Sequence, residues 1–438
     1  MTVVKQLLRL VPILLVSSHL IAQLNGSEET VKFYAEVPQL EESVHQALRR
    51  NPRVEQALAR YRAALQKIPQ VTALPEPMLM FTQFIRDIET RVGPQLNSLA
   101  LSQNFPWFGK LDLKGRVAFK EAAALYQTYR AREREIILQV KSAFYELGYV
   151  ERTLEIIEEE RSLLTHYEQL AQARYAAGEE HPQAIIKIQA EITQIIIRLK
   201  MFRQHRMFLT ARMNTLMNKP PQGSFPKVDP LSLPHVDLHL QELYELGDKN
   251  RQELKAAMAH IEKNEQAVEL ARKDYWPNLT LAAGMTNVGG RGDPIGLLLP
   301  PPDNGKNAYN FSIGINIPLR RNKYDAGVLE ATESLIAERR SYASIRNEMH
   351  YSIREQMIRL QTLQEQMDLL AQVLMPQADE ALRSAESAYQ TGQANALSLL
   401  DSERFRLELR LLGARYHSDY LRALANLERA VGTQFPRE

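Results

Sequence analysis

Three short stretches of the chain alternate between apolar and polar residues. The clearest is residues 309–317. Tyr309, Phe311, Ile313, Ile315 and Ile317 share one parity, and Asn310, Ser312, Gly314 and Asn316 the other. Period two places successive side chains on opposite faces of a strand. Leu279, Leu281, Ala283 and Met285 alternate in the same way. Leu99, Leu101 and Phe105 do so against Ser98, Ser102 and Asn104. A fourth stretch, from Met78, is apolar on both parities. The pattern predicts strands at about residues 78–85, 98–105, 278–286 and 309–317.

The rest of the chain follows a helical period. Residues 110–177 contain no proline, and apolar positions recur in steps of three and four at Val140, Ala143, Leu147, Val150, Leu154 and Ile157, then at Leu164 and Ala171, with Arg161 and Glu168 interrupting the pattern. Ile353, Met357, Leu360, Met367, Ala371, Leu374, Ala378, Ala381, Ala385 and Ala388 repeat the pattern later, with Gln364 the exception. Such spacing makes a coiled-coil seam, in which each knob enters a hole on a neighbouring helix. A helix over 110–177 would be about 100 Å long at about 1.5 Å per residue. A second is expected over 325–391, with a kink or break at Pro376. Gly178 and Gly392 end these helices, since glycine accepts the left-handed turn conformation without strain. Shorter helices follow over 183–217 and 396–431, so each long helix folds back into a hairpin.

The chain is written twice. Asn104-Phe105-Pro106 followed by Gly115 returns as Asn316-Ile317-Pro318 followed by Gly327. Tyr175-Ala-Ala-Gly178 returns as Tyr389-Gln-Thr-Gly392 at nearly the same offset. The copies are expected at 23–218 and 241–433. Between them, residues 219–240 hold Pro220, Pro221, Pro226, Pro230 and Pro234, too much proline for a helix interior.

The N-terminus adds a compartment. Lys5 and Arg9 precede an apolar run from Leu10 to Val16, then Ser17, Ser18 and Ala22. These read as a signal peptide over 1–22, too short to span a membrane as a helix. No later apolar run reaches the length of a spanning helix. The chain has no cysteine, and its formal net charge is +2. Disulfides, thiol catalysis and cysteine-ligated zinc are thereby removed, and so is nucleic-acid binding driven by phosphate neutralisation. No phosphate-binding loop, catalytic constellation, metal-ligand cluster or cofactor motif stands out. The chain reads as a non-enzyme without a cofactor.

Strands with one apolar and one polar face suit either a covered soluble sheet or a membrane barrel with lipid outside and water inside. Four strands cannot close a barrel, since the smallest have about eight. A barrel therefore requires oligomerisation, and three chains would supply about 12 strands. A soluble coiled-coil scaffold of the periplasm would explain the helices and the signal segment, but not the paired strands before each long helix.

The stretch Met375-Pro-Gln-Ala-Asp-Glu-Ala-Leu382, then Tyr389-Gln-Thr-Gly392, Leu399-Leu-Asp401, Tyr420, Leu427 and Gly432 resembles the TolC family of outer-membrane efflux proteins. Phe105-Pro-Trp-Phe-Gly-Lys110 resembles the end of the second strand in members serving heavy-metal pumps of the resistance-nodulation-division type. The resemblance covers about residues 38–433. It implies a mainly α fold with a small β membrane part: duplicated coiled-coil helical hairpins, four transmembrane strands per chain, and a homotrimer forming an α-barrel joined to a 12-stranded β-barrel. It places the protein in outer-membrane lipid, reaching into the periplasm of a Gram-negative cell. A periplasmic adaptor would bind there and connect it to an inner-membrane pump. Metal, drug and type I protein export all use this architecture.

The resemblance also implies sites. The family narrows its tunnel with acidic residues after the second-hairpin glycine, commonly two aspartates three residues apart. Asp401 matches the second; Ser398 stands where the first would be. Glu403, Glu179 and Glu180 are then candidates to complete the constriction. Gly178, Gly392, Gln393 and Asn395 are candidates for the turns that meet the adaptor. Trp107 and Phe108 directly follow a strand, where aromatic residues border a membrane. Residues 86–97 and 287–307 would be the loops at the outer end.

Overall fold

The computed structural model describes residues 37–234, 236 and 239–435. The expected signal segment, 1–22, and part of the expected linker, 219–240, lie outside the described residues. The elements are α1 (Pro38–Arg50), α2 (Pro52–Thr72), β1 (Met78–Ile88), β2 (Gln95–Phe105), α3 (Lys110–Ala176), α4 (Pro182–Leu216), α5 (Leu240–Asn250), α6 (Gln252–Lys273), β3 (Leu279–Val288), α7 (Pro294–Leu298), β4 (Ala308–Ile315), α8 (Arg321–Leu369), a π-helical turn (Leu370–Leu374), α9 (Met375–Gln390) and α10 (Ala396–Val431). No described helix is long and apolar enough to cross a membrane. Where one helix was expected before each strand pair, two stand. Asn51 is held extended between α1 and α2, because the proline that follows disfavours helical geometry at the residue before it.

The chain divides into two compact units. One combines Arg60–Leu125 with Ala256–Tyr342. The other combines Tyr126–Lys255 with Ala343–Glu438 and the segment ending at Ala59.

In the first unit the strands form one antiparallel sheet in the order β1-β2-β3-β4. β1 runs on to Ile88, past the expected end at residue 85, and β4 stops at Ile315 rather than 317. Leu79 pairs with Leu101, Leu99 with Met285, Leu281 with Ile313, and Ala283 with Phe311. Lys120 of α3 bonds Glu262 of α6 at 2.6 Å, and Lys263 of α6 bonds Glu121 at 3.1 Å.

In the second unit the apolar stripes of the helices are buried. Ile136, Val140, Phe144, Leu147 and Val150 of α3 join Leu40 and Val44 of α1 and Met213 of α4 in one core. Ile157, Leu164 and Ala171 join Ile188 and Leu199 of α4 and Leu382, Leu399 and Leu407 in another.

The later helical stripe departs from the expected one. Ala371, Leu374 and Ala381 are exposed, whereas Leu370, Leu382 and Tyr389 are buried. The cause lies at Pro376. It has no N–H to bond Gln372, four residues back. One step earlier, the Met375 N–H reaches back five residues to the Leu370 carbonyl. A π turn inserts one residue into the helical count. Around and after this turn the stripe is uneven: Leu370, Leu382 and Tyr389 are buried one position away from the expected Ala371, Ala381 and Ala388, while Ala378 keeps its expected buried place.

Candidate functional site

The sheet has two chemically distinct faces. On the odd-numbered side stand Leu79, Phe81, Leu99, Leu101, Leu281, Phe311, Ile313 and Ile315. On the even-numbered side stand Thr82, Ser98, Ser102, Thr280, Asn310, Ser312 and Gly314. Met78 and Met80 also lie on the even side. The apolar face is open within this chain: Leu79, Phe81, Phe311, Ile313 and Ile315 are each more than 60 % exposed. An exposed apolar face on a short sheet needs a non-aqueous neighbour. The edge strands β1 and β4 have no described partner on their outer sides. Three antiparallel steps separate them, so they run in opposite directions.

One end of the sheet carries a fixed aromatic cluster. Trp107 stacks on Trp276 with centroids 5.1 Å apart, and Phe108 packs edge-on to Trp107 at 5.8 Å. The buried ammonium of Lys110 donates to the Trp276 carbonyl at 3.0 Å and to Asn278 Oδ1 at 3.2 Å. Trp276 precedes β3 in the second copy of the sequence. Sequence reading missed it, since the corresponding partner in the first copy is not aromatic and only the fold juxtaposes the two strand ends.

At the other end the two connecting loops clasp one another. The Gly289 N–H donates to the Pro94 carbonyl at 2.7 Å and the Gly305 N–H to the Val92 carbonyl at 2.8 Å. A Cβ on Gly93, at φ +122°, would stand 1.8 Å from the Gly289 oxygen. Ile295, Leu297, Leu298 and Leu299 of the longer loop are exposed.

The candidate gate lies in the second unit, at two helix-ending turns. Gly178 and Gly392 both adopt left-handed geometry, with φ 78° and 73°. The Glu179 N–H reaches back to the Arg174 carbonyl at 2.9 Å, and the Gln393 N–H to the Ala388 carbonyl at 2.8 Å. These bonds satisfy carbonyls left free at a helix end. Asn395 caps α10: its Oδ1 accepts the Ser398 N–H at 3.0 Å and the Ser398 hydroxyl at 3.2 Å. Ser398 is thus committed to a helix cap.

The candidate carboxylates divide. Asp401 and Glu179 are exposed and Glu180 is half-buried. Glu403 is 1 % exposed and faces Glu160, itself 3 % exposed. Arg406 stands 3.4 Å from Glu403. Burial and a hydrogen bond to Glu403 push Glu160 up to about 9. Sequence reading missed Arg174, which joins the two turns. Its guanidinium lies over the Tyr389 ring at 4.9 Å and donates to the Tyr389 carbonyl. Burial and the Glu180 carboxylate push the Tyr389 hydroxyl up to about 12. Among the described residues no three or more His, Asp or Glu gather as a metal set.

The model of the outer membrane efflux protein family matches residues 43–192 and 243–433. None of the curated proteins matches the chain. Solved structures share its fold at low identity. VceC of Vibrio cholerae is 20 % identical, with a TM-score of 0.73 over 91 % of this chain and 97 % of that one. The CmeC outer membrane channel of Campylobacter jejuni is 14 % identical, with 0.74 over 93 % and 90 %. The open-state MtrE channel of Neisseria gonorrhoeae is 18 % identical, with 0.73 over 90 % and 89 %. With the family model matching both halves, on either side of the proline-rich segment, the chain belongs to the outer membrane efflux protein family.

Proposed function

We propose that three copies of this chain close a single β-barrel in the outer membrane and act as the passive exit duct of a tripartite efflux pump. The observation that carries this reading is the sheet: one apolar face, one polar face and two unpaired edges of opposite direction. β4 of one copy can pair antiparallel with β1 of the next, and three four-stranded sheets then make a closed barrel of about 12 strands. Closure satisfies every edge, as the hydrocarbon layer demands. The even-numbered face lines the water-filled lumen, and Trp107, Phe108 and Trp276 sit at the membrane boundary.

The halves 23–218 and 241–433 act as duplicated repeats, each ending in a hairpin turn. Gly178, Gly392, Gln393 and Asn395 form the turns that meet a periplasmic adaptor, which joins the duct to an inner-membrane pump. Asp401, repeated by symmetry, supplies the acidic constriction, with Glu179 and Glu180 beside the Arg174–Tyr389 tie. Glu403 holds helix packing instead of facing cargo. No catalytic group takes part; the partner pump supplies the energy. Small molecules or metal ions are the cargo, and export of a protein is the alternative use of the same duct.

Cell fractionation and native mass spectrometry of the detergent-extracted protein test this reading. A trimer in the outer-membrane fraction is the expected result. A soluble periplasmic monomer would overturn it. Sensitisation of a deletion strain to a metal or drug panel separates small-molecule efflux from protein export.

A further inference from the structure

The second unit holds a concentration of positive charge that its own carboxylates do not balance. Around the junction of α5 and α6 lies a polar recess of about 250 Å³. Arg130, Arg134, Lys255, Asn250, Gln252 and Thr433 line it. Three nearby acids are already engaged. Glu133 takes Arg130 at 3.0 Å and the Tyr129 hydroxyl at 2.7 Å. Glu428 is held by Lys141. Glu253 is shared between Arg251, at 3.3 Å, and Arg429. Glu348 bears on Arg251. Among the described residues, neither Arg134 nor Lys255 has an ion pair, and the Asn250 amide and Thr433 hydroxyl have no hydrogen-bond partner.

Arg134 is only partly exposed. Burial, then its neighbour Arg130, lowers its basicity. Lys255 is lowered by burial, then by Arg130 and Arg134. Like charges held together at a partly desolvated site raise one another's free energy unless an anion joins them. The donors around the recess are of the kind that bind oxyanions: two guanidinium groups, an ammonium, an amide and a hydroxyl.

We propose that this recess is an oxyanion site for a phosphoryl group, either free phosphate or a phosphate monoester. Arg134 and Lys255 supply the unbalanced charge, Arg130 a third cation, and Asn250 and Thr433 neutral donors. The site uses none of the residues assigned above to the conduction path and rests on none of those assignments.

Titration calorimetry of the full-length detergent-solubilised protein tests this, at constant ionic strength in chloride, with inorganic phosphate in one arm and glycerol 3-phosphate in the other. Saturable binding of either at one site per chain is the expected result. Equal affinities assign the site to the phosphate ion itself; tighter monoester binding assigns it to a phosphate carried on an organic group. Arg134→Gln should weaken binding by about 10-fold or more, as loss of a charge-assisted donor does. Lys255→Gln, which removes a cation that makes no ion pair among the described residues, should weaken it as well. Lys306→Gln, on the exposed loop of the first unit, should leave it unchanged. Absence of saturable binding by either probe, or wild-type affinity in both the Arg134 and Lys255 variants, would overturn the proposal.

Discussion

The Arg174 guanidinium lies 4.9 Å over the Tyr389 ring and donates to the Tyr389 carbonyl, so one side chain ties the turn after α3 to the turn after α9. Each turn alone is held by backbone bonds and a glycine. Removing the guanidinium leaves Tyr389 buried without its cation, and leaves its carbonyl with only the backbone donors of its own turn, among them the Gly392 N–H at 3.2 Å. Arg174→Ala should loosen both turns at a cost of about 1–3 kcal/mol. Limited proteolysis should cut faster near residues 178–181 and 391–395, with the cores around Phe144 and Leu399 still protected. Unchanged cleavage would show that the glycine turns hold without the tie.

Glu160 and Glu403 face each other almost without solvent, and Glu160 is raised from 4.5 to about 9. Between those pH values the folded chain retains a proton that the unfolded chain releases. The stabilisation is therefore complete below about 4.5 and is lost as pH rises toward 9. Denaturation midpoints should fall with pH across that window. Glu403→Gln removes the neighbouring charge and should flatten the slope. A wild-type slope in that variant would assign the pH dependence elsewhere.

The two faces of β4 give a paired test in one strand. Arginine at Ile313 or Ile315 puts charge on the apolar face, at about 2–4 kcal/mol per site near a bilayer midplane. Such variants should fail to reach the outer membrane. Ser312→Arg, one residue away on the polar face, should assemble normally. Equal assembly of both would mean that the faces are assigned the wrong way round.

Much of this fold is legible in the chain because its signals are local and periodic. Ile313 and Ile315 announce their face by alternation, and Val140 to Ala171 announce theirs by the three-four spacing. Pro376 announces a disturbance through its missing N–H. Its consequence is less legible. Whether the helix kinks, breaks or takes up a π turn depends on packing, and within that turn Leu370 is buried while Ala371 and Leu374 are exposed. The candidate gate was readable only in part. Asp401 stands on an exposed helix surface, but Glu403, two residues on, faces the opposite side and is buried against Glu160. A residue name does not reveal that difference. Arg174 and Trp276 were missed because each acts on a partner far away in sequence, Tyr389 and Trp107.

The loop clasp depends on one backbone position. Gly93 at φ +122° lies against Gly289, where any Cβ would collide with the carbonyl. Gly93→Ala should open the contact between the two loops, and protease added to whole cells should then cut within residues 287–307. Continued resistance would mean that the remaining bonds from Gly289 and Gly305 suffice.

The central claim is that this chain assembles into a water-filled duct needing no energy of its own. Current recording across a planar bilayer tests it most directly, with the purified protein alone and neither nucleotide nor partner present. The account predicts discrete conductance steps, cation-selective because of Asp401, with the selectivity reduced by Asp401→Asn. A protein that inserts without conducting, or that conducts with selectivity indifferent to Asp401, would contradict the duct in the first case and its acidic constriction in the second.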